Sequence, residues 1–569
     1  LSLPKALWVY PKKDEPCVKK IVEEFHIHPI VAEVLVARGF KNSEHIHHFL
    51  YAKLPDLYDP DLFPEMEAAV ARILKALEKE EKILIYGDND VDGITAAVLL
   101  AEFFSSLGAC AIPYIPNRSS LKSSLMLDAL DYAQKNACAL LITVDCGITA
   151  ANEIAQSIHK QIDVIITDHH EPTAKLPHCI ATLNPKLISS TYPNRDLTGV
   201  GVAFKLASAL IAKSKLSDEH KEVLIWRSLD LVAIGTITDM VPLIGENRIL
   251  VRYGLRQMRK KKRLGLAKLC SVSDVELSDI STLDIASKVA PRFNSLGRIA
   301  DPNKGVELLL IKDPIAAEKL AKELDLNNLE RQKIERKDTE KVDEYIKKNG
   351  KILKEKALVL FSSDWHPGII PIITARIAKQ YNRPTVLIAL EKGLGKGSIR
   401  TIPSFPLLSI LKKTSDLLVN YGGHDFAAGL TIEEKNIAEF KRRFIQEANQ
   451  LLQDQDILTK VTLDAHVNFT DLTFDFMESF NLLEPFGNDN LPPVFYCTVK
   501  QIWPPKIVGK SHLKFYLEQH DRILEAIAFG MAYKRESVLK KNLSLEIAFT
   551  PYLNRKAGIQ LQIKDFRPK

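Results

Sequence analysis

KILIYGDNDVDGITAAVLLAEFF, residues 82–104, carries three signals in succession. An unbroken apolar run (83–86) is followed by an acidic loop, GDNDVDG (87–93). A second apolar stretch then runs to Phe104, with Glu102 its only charge. A short apolar run bounded by a loop predicts a strand buried on both faces, and the longer stretch predicts a buried helix. The alternation returns at 139–144, which leads into DCGIT, and at 164–167, which leads into DHHEPT. Buried strands separated by helices predict a parallel sheet covered on both faces. Each acidic cluster then lies at the carboxyl end of a strand, where open α/β sheets bind ligands. The strand-like run 229–237, with Asp230 its only charge, leads into TDMVP and is expected to be a further strand, presenting Asp239 in the same way.

The other constraints are broad. At 569 residues the chain has room for roughly three or four domains. Hydrophobic residues make up 46 % and charged residues 26 %, which excludes a disordered chain or a fibrous repeat. Lys plus Arg number 77 against 71 Asp plus Glu, a net charge of +6. That excess permits a nucleic-acid partner without requiring one. The seven cysteines are scattered with no C-x-x-C pair, so neither a disulfide framework nor a zinc site is expected. No apolar stretch is long enough to span a bilayer, and LSLPKALWVYPKKDEP lacks the apolar core of a secretory signal. A cytoplasmic location is the expectation.

Outward from the acidic strands, residues 1–60 read as a cap of short helices and loops, and 61–312 as the catalytic α/β domain. An amphipathic helix is expected from Arg72 to the KEEK cluster (79–82). Residues 313–350 are dense in charge without an internal glycine, which predicts one long exposed connecting helix. A smaller α/β lobe follows over 351–455. Short alternating strands over 456–569 suggest a small β-barrel.

Asp88, Asp90 and Asp92 crowd one short loop, and such a loop is stable only when something positive neutralises it. With Asp145, His169, His170 and Asp239 they form a set of oxygen and imidazole donors that suits Mn²⁺ or Mg²⁺, with Zn²⁺ or Fe as alternatives. That many ligands leave room for two ions sharing a carboxylate, the arrangement that activates water and clamps a phosphate. Asp caps turns and helices everywhere, so one such loop is weak evidence, whereas four clusters at element ends are hard to explain structurally. The residues alone do not order Asp88 against Asp90. The run MRKKKRLG (258–265) reads either as a solvated helix end or as a phosphate-backbone patch.

GDNDVDG, VDCG, DHH and ITD, in this order, resemble the motifs of the DHH phosphoesterase superfamily. YIPNR (114–118), LTGVGVAFKL (197–206), DMVPLIGENRILVRYGL (239–255), PRFNSLGR (291–298), WHPG (365–368), GKGSIRTIP (395–403), GGHDFAAG (422–429) and LEPFGNDN (483–490) resemble its RecJ family of single-strand-specific exonucleases. The resemblance implies a DHH phosphoesterase parallel-sheet lobe, a DHH-associated lobe and a C-terminal OB-fold barrel. It also implies hydrolysis of single-stranded DNA from the 5′ end to mononucleotides with two divalent ions, Mn²⁺ or Mg²⁺. A helicase and a single-strand-binding protein are the implied partners, with no membrane. A phosphodiesterase of short oligonucleotides or cyclic dinucleotides, or a non-catalytic strand-binding relative, is the alternative.

By the same resemblance the metal ligands are Asp90, Asp92, Asp145, His169 and Asp239, with Asp145 as the bridge. Asp88 and His170 are ligands or their neighbours, and His170 orients a ligand or protonates the leaving oxygen. Ser398 and Arg400 form a phosphate pair, with Gly422, Gly423 and His424 admitting the strand's 5′-phosphate. Arg118, Arg298, His366 and Arg376 face the DNA. Lys510, His512, Lys514, Tyr516 and Arg555 are the strand-binding residues of the barrel. Three positions depart from the family pattern: SSLKSS after Arg118, Pro371 in place of Gly, and Ile399 in place of a small residue. All three bear on substrate positioning and leave the metal set intact.

Overall fold

The computed structural model describes residues 6–117, 124–509, 511–554 and 558–569. Arg118, the SSLKSS departure after it (up to residue 123), Lys510 and Arg555 lie outside the described residues. The chain forms two compact units that interleave along the sequence. One comprises 41–328 and 480–492; the other comprises 1–40, 329–479 and 493–569. Residues 1–60, which read as one cap, are thus divided: strand Leu7–Val9 pairs in parallel with Lys460–Thr462, while helix Ser43–Tyr51 belongs to the first unit.

The first unit is built on a five-stranded parallel sheet in the order Ala111–Tyr114, Ile83–Gly87, Leu140–Val144, Asp163–Thr167, Ala181–Leu183. The strands 83–87 and 140–144 are buried at every position, as continuous apolar runs require. Helix Val91–Ser106 is apolar on nearly all sides because the sheet and helices Gly199–Lys213 and Asp218–Thr238 surround it. Helix Met66–Glu78 begins earlier than its apolar pattern suggests, since Arg72 is buried within it against Asp163 and Glu81.

Run 229–237 is not a strand. It is the last part of helix Asp218–Thr238, and Asp239 is that helix's C-cap. Periodicity cannot separate a buried strand from a helix segment buried on all sides. The capped start of the helix, Ser217 followed by DEHKE, lies well before the run and settles the matter.

Helix Pro314–Lys348 is a single element of 35 residues, as its composition predicts, and the division between units falls within it. In the second unit, strands Leu358–Ser362, Thr385–Glu391, Leu394–Arg400, Ala427–Glu433 and Leu418–His424 form a mixed sheet. Pro371 falls in the first turn of helix Ile370–Tyr381, where its missing N–H costs nothing. Ile399 is fully buried in the core of this sheet. Strands Phe495–Gln501, Ser544–Asn554, Gly558–Pro568, Arg522–Ala528 and His512–Gln519 close into a barrel, since the first also pairs with the last. Their inward residues (Leu513, Phe515, Leu517) alternate with outward ones, the period expected of a small closed barrel. Among the described residues no helix is long and apolar enough to cross a membrane.

Candidate metal centre

The site forms where three strand ends and one helix end of the first unit converge. Asp88 and Asp90 follow strand 83–87, and Asp90 is the N-cap of helix 91–106, accepting from the amides of Asp92 (3.0 Å) and Gly93 (3.2 Å). The capping explanation for this loop is therefore true, yet the same residue also belongs to the cluster. Asp92, in the first turn, is buried and accepts from the Gly199 amide (2.6 Å) and the Val200 amide (2.9 Å). Those amides open helix 199–213, so its positive end fixes the carboxylate in place. A Cβ on Gly199 would lie 2.5 Å from the Asp145 Cβ, so only glycine lets this helix end come so close.

Asp145 ends the next strand with φ at +61°, a left-handed conformation uncommon for any residue but glycine. Its amide donates to the Thr167 carbonyl at 2.9 Å, anchoring the turn to the neighbouring strand. Asp168 ends that strand and is fully engaged. It accepts from the amides of Ile148, His169 and His170, and it lies 2.8 Å from His170 Nδ1. His169 Nε2 stands 3.1 Å from Asp145 Oδ1, 3.6 Å from Asp239 Oδ2 and 4.0 Å from Asp92 Oδ2. Ligand atoms fall within 4.8 Å of one another in three overlapping groups: Asp88, Asp90, Asp145; Asp145, His169, His170; and Asp92, His169, Asp239.

The electrostatics call for a cation. Burial, then the neighbouring carboxylates, pushes Asp92 and Asp145 well above the usual carboxylate range. Burial, with Asp90 beside it, pushes Asp239 up to about 7. Asp239 also caps a helix C-terminus, where a negative charge is unfavourable unless it is compensated. Asp145 Oδ1 is buried and, although His169 Nε2 lies 3.1 Å away, no donor among the described residues is aligned on it. An oxygen-rich, imidazole-bearing set without thiolate fits a hard divalent ion. His170 responds the other way: burial opposes its charge, but the hydrogen bond and charge of Asp168, together with the charges of Asp88 and Asp239, outweigh it and raise the ring to about 9.

The sequence reading thus assembles Asp88, Asp90, Asp92, Asp145, His169, His170 and Asp239 in one place. It missed Asp168 as the residue that orients His170, and it missed the Gly199 and Val200 amides. Thr198, whose hydroxyl caps helix 199–213, marks a helix start in the sequence. Nothing local shows that the start seats a carboxylate 107 residues earlier.

In the second unit, Ser398 stands opposite Gly429, which stands opposite Gly422; one step along, Arg400 stands opposite Ala427 and Ala427 opposite His424. Directly opposed residues share a face, so Ser398, Arg400, Gly422 and His424 lie on one side of the sheet over a strip of small residues. Gly423 falls on the other side. Arg400 Nη1 donates to the Ile399 carbonyl (2.8 Å) and reaches Ser398 Oγ at 3.4 Å. His366 and Arg376 are exposed, and His366 Nδ1 accepts from Gly368 within its own loop. Arg298 is half-buried in helix Ala290–Ile299 of the first unit. In the barrel, His512, Lys514 and Tyr516 alternate outward, but Lys514 is paired with Glu525 at 2.7 Å. In the MRKKKRLG run, residues 259–262 are exposed just past the end of helix Gly245–Met258, as a solvated helix end requires, and Arg263 alone departs from both readings. It is buried, with its guanidinium on Asp230 (2.8 Å) and Glu102 (2.9 Å).

Models of known families match three segments: the DHH family N-terminal domain over 82–236, the DHHA1 domain over 354–454 and the RecJ OB domain over 463–565. The single-stranded-DNA-specific exonuclease RecJ of Bacillus subtilis (strain 168) is 35 % identical over 568 residues, covering 99 % of this chain and 71 % of that protein. The crystal structure of RecJ with Mn²⁺ from Thermus thermophilus superposes with a TM-score of 0.82 at 27 % identity, over 99 % of this chain and 79 % of that one. The corresponding Mg²⁺ complex gives a TM-score of 0.76 at 26 % identity, over 99 % and 78 %. With a parallel-sheet lobe, an associated lobe and a barrel all matched, and with the acidic strand ends in place, this chain belongs to the RecJ family.

Proposed function

We propose that the protein is a metal-dependent exonuclease that hydrolyses single-stranded DNA from the 5′ end to mononucleotides, serving DNA recombination and repair. One observation carries this reading: five carboxylates and two imidazoles converge at element ends in a chain that also holds a closed barrel of the strand-binding type. We assign Asp90, Asp92, Asp145, His169 and Asp239 as ligands of two Mn²⁺ or Mg²⁺ ions. Asp145 would be the ligand shared between them, because it belongs to both the Asp88–Asp90 group and the His169–His170 group, and a carboxylate can serve two ions whereas an imidazole nitrogen serves one. When bound, such a pair lowers the pKa of a water and offsets charge on the phosphate.

The chain's own residues do the rest. Asp92 is held by two amides and Asp145 by its turn, so neither needs to reorganise when substrate arrives. Asp88 lies beside Asp90 and Asp145, where it can orient the attacking water. Asp168 occupies His170 Nδ1 and leaves Nε2 for a proton at the leaving oxygen. Ser398, Arg400, Gly422 and His424, with Gly423 beside them, are assigned to the 5′-phosphate. Arg118, Arg298, His366 and Arg376 are assigned to the DNA strand. Lys510, His512, Tyr516 and Arg555 are assigned to the strand on the barrel, with Lys514 weakened by its pairing to Glu525. Restriction to single strands implies a helicase that opens duplex DNA and a single-strand-binding protein, in the cytoplasm.

Two end-labelled oligonucleotides in Mn²⁺ test the polarity. A 5′ label should leave as a mononucleotide from the first turnover, while a 3′-labelled strand shortens progressively. Release of the 3′ label first would overturn the polarity. Rapid hydrolysis of dinucleotides without strand digestion would favour the oligonucleotide phosphodiesterase.

A further inference from the structure

Motif LEPFGNDN (483–490) has no part in the site described so far, yet it is bound to the turn that carries Asp239. Residues 480–492 leave the barrel-bearing unit's run of sequence and join the catalytic unit. There the Asn488 carbonyl accepts from the Leu243 amide at 2.8 Å, and the Asn488 side-chain amide donates to the Met240 carbonyl, also at 2.8 Å. Met240 directly follows Asp239 and has φ at +58°, so the turn is held in a conformation that a free chain avoids. Gly487 presses on the same turn: a Cβ there would come within 2.4 Å of Leu243 Cδ1. The loop is itself fixed from behind. Arg248 donates to the carbonyls of Leu482, Leu483 and Pro485, Asn490 Nδ2 donates to those of Leu483 and Pro485, and the Thr282 hydroxyl donates to that of Phe486.

We propose that this loop is a clamp that positions Asp239, with Asn488 as the positioning residue. The proposal rests on Asp239 being a metal ligand, as assigned above. A carboxylate at the end of a helix, followed by a left-handed residue, has no strand neighbour to hold it as Asp145 has. Asn488 supplies two hydrogen bonds to the turn that follows Asp239, at Met240 and Leu243, and the one at Met240 comes from its side chain. Partners that orient a ligand typically change metal affinity by about ten- to a hundredfold when removed. Asn488 is exposed, so replacing it leaves the core intact.

The test is Mn²⁺ titration of the full chain followed by the EPR signal of free Mn²⁺, with Asn488→Ala and Asn488→Leu beside Asp239→Asn and Thr282→Ala. Both Asn488 variants should bind one of two Mn²⁺ equivalents about tenfold more weakly. The metal-free melting temperature and the KM for single-stranded DNA should stay as in the wild type. Thr282→Ala, which loosens the loop without touching the 239–243 turn, should bind Mn²⁺ normally. Unchanged Mn²⁺ binding in both Asn488 variants, with loss in Asp239→Asn, would overturn the clamp alone. An equal loss in Thr282→Ala would also overturn it, since the effect would then be general loosening. Normal binding by Asp239→Asn would overturn the ligand assignment and the clamp with it.

Discussion

Asp145 illustrates how much of the site is held by neighbours rather than by its own preferences. Its left-handed backbone persists because its amide is tied to Thr167, and its side chain has room because residue 199 lacks a Cβ. Gly199→Ala is therefore expected to displace both Asp145 and the helix end that holds Asp92. Nuclease activity should fall by about two orders of magnitude, as for a misplacement of about 1 Å at a reacting centre. A metal titration and a single-turnover assay on the purified variant check this. The carboxylates make a second prediction. Asp239 is raised from an ordinary 3.8 to about 7, and Asp92 and Asp145 move the same way. A group raised on folding stabilises the protein below its ordinary pKa, and that contribution is lost as pH rises through the folded value. In chelator, the melting temperature should therefore fall between about pH 4 and 7, and fall less in Asp239→Asn. Added Mn²⁺ should stabilise more at pH 7.5 than at pH 5, because it binds the charged carboxylates. Scanning calorimetry across that range measures both effects.

Helix Asp218–Thr238 separates what the sequence discloses from what it does not. Its last turns are as apolar as any buried strand, and within a window of that length the two are indistinguishable. The strands 83–87, 140–144 and 163–167 were legible because each apolar run is short and bounded by turn residues. The acidic cluster at each of their ends was legible because carboxylates at that density need a counter-ion. Asp168 belongs to one of those clusters, but its role does not show in the sequence: it binds its neighbours' amides and His170, and that depends on a turn geometry rather than a pattern. Arg263 was misread for the same reason, since a run of five basic residues looks solvated until its partners are known. Glu102 and Asp230 come from two other helices to meet it. Arg263→Met would leave Asp230 buried without its ion-pair partner and Glu102 with Arg227, at a cost of about 3–5 kcal/mol. Urea unfolding checks the loss. Single-strand affinity of the folded variant should be unchanged, contrary to a phosphate-patch role.

The two units interleave along the chain, and that has a consequence for dissection. Truncation after residue 455 removes the barrel but also removes 480–492 from the catalytic unit. Arg248 would keep the Phe49 carbonyl and lose those of Leu482, Leu483 and Pro485. Such a truncation should lower the melting temperature of the catalytic unit and weaken its Mn²⁺ binding, whereas a chain that retains 480–492 through a short linker should recover both. Thermal melts with and without Mn²⁺ distinguish these outcomes. If carboxylates at element ends, with Asp145 at their centre, make this chain a metal-dependent nuclease for single strands, mononucleotide release in Mn²⁺ must depend on both the ion and Asp145. Release followed from single-stranded and blunt duplex DNA should be rapid from the single strand with the wild type, and absent in chelator, from the duplex and with Asp145→Asn. Undiminished release by a folded Asp145→Asn variant would contradict that dependence.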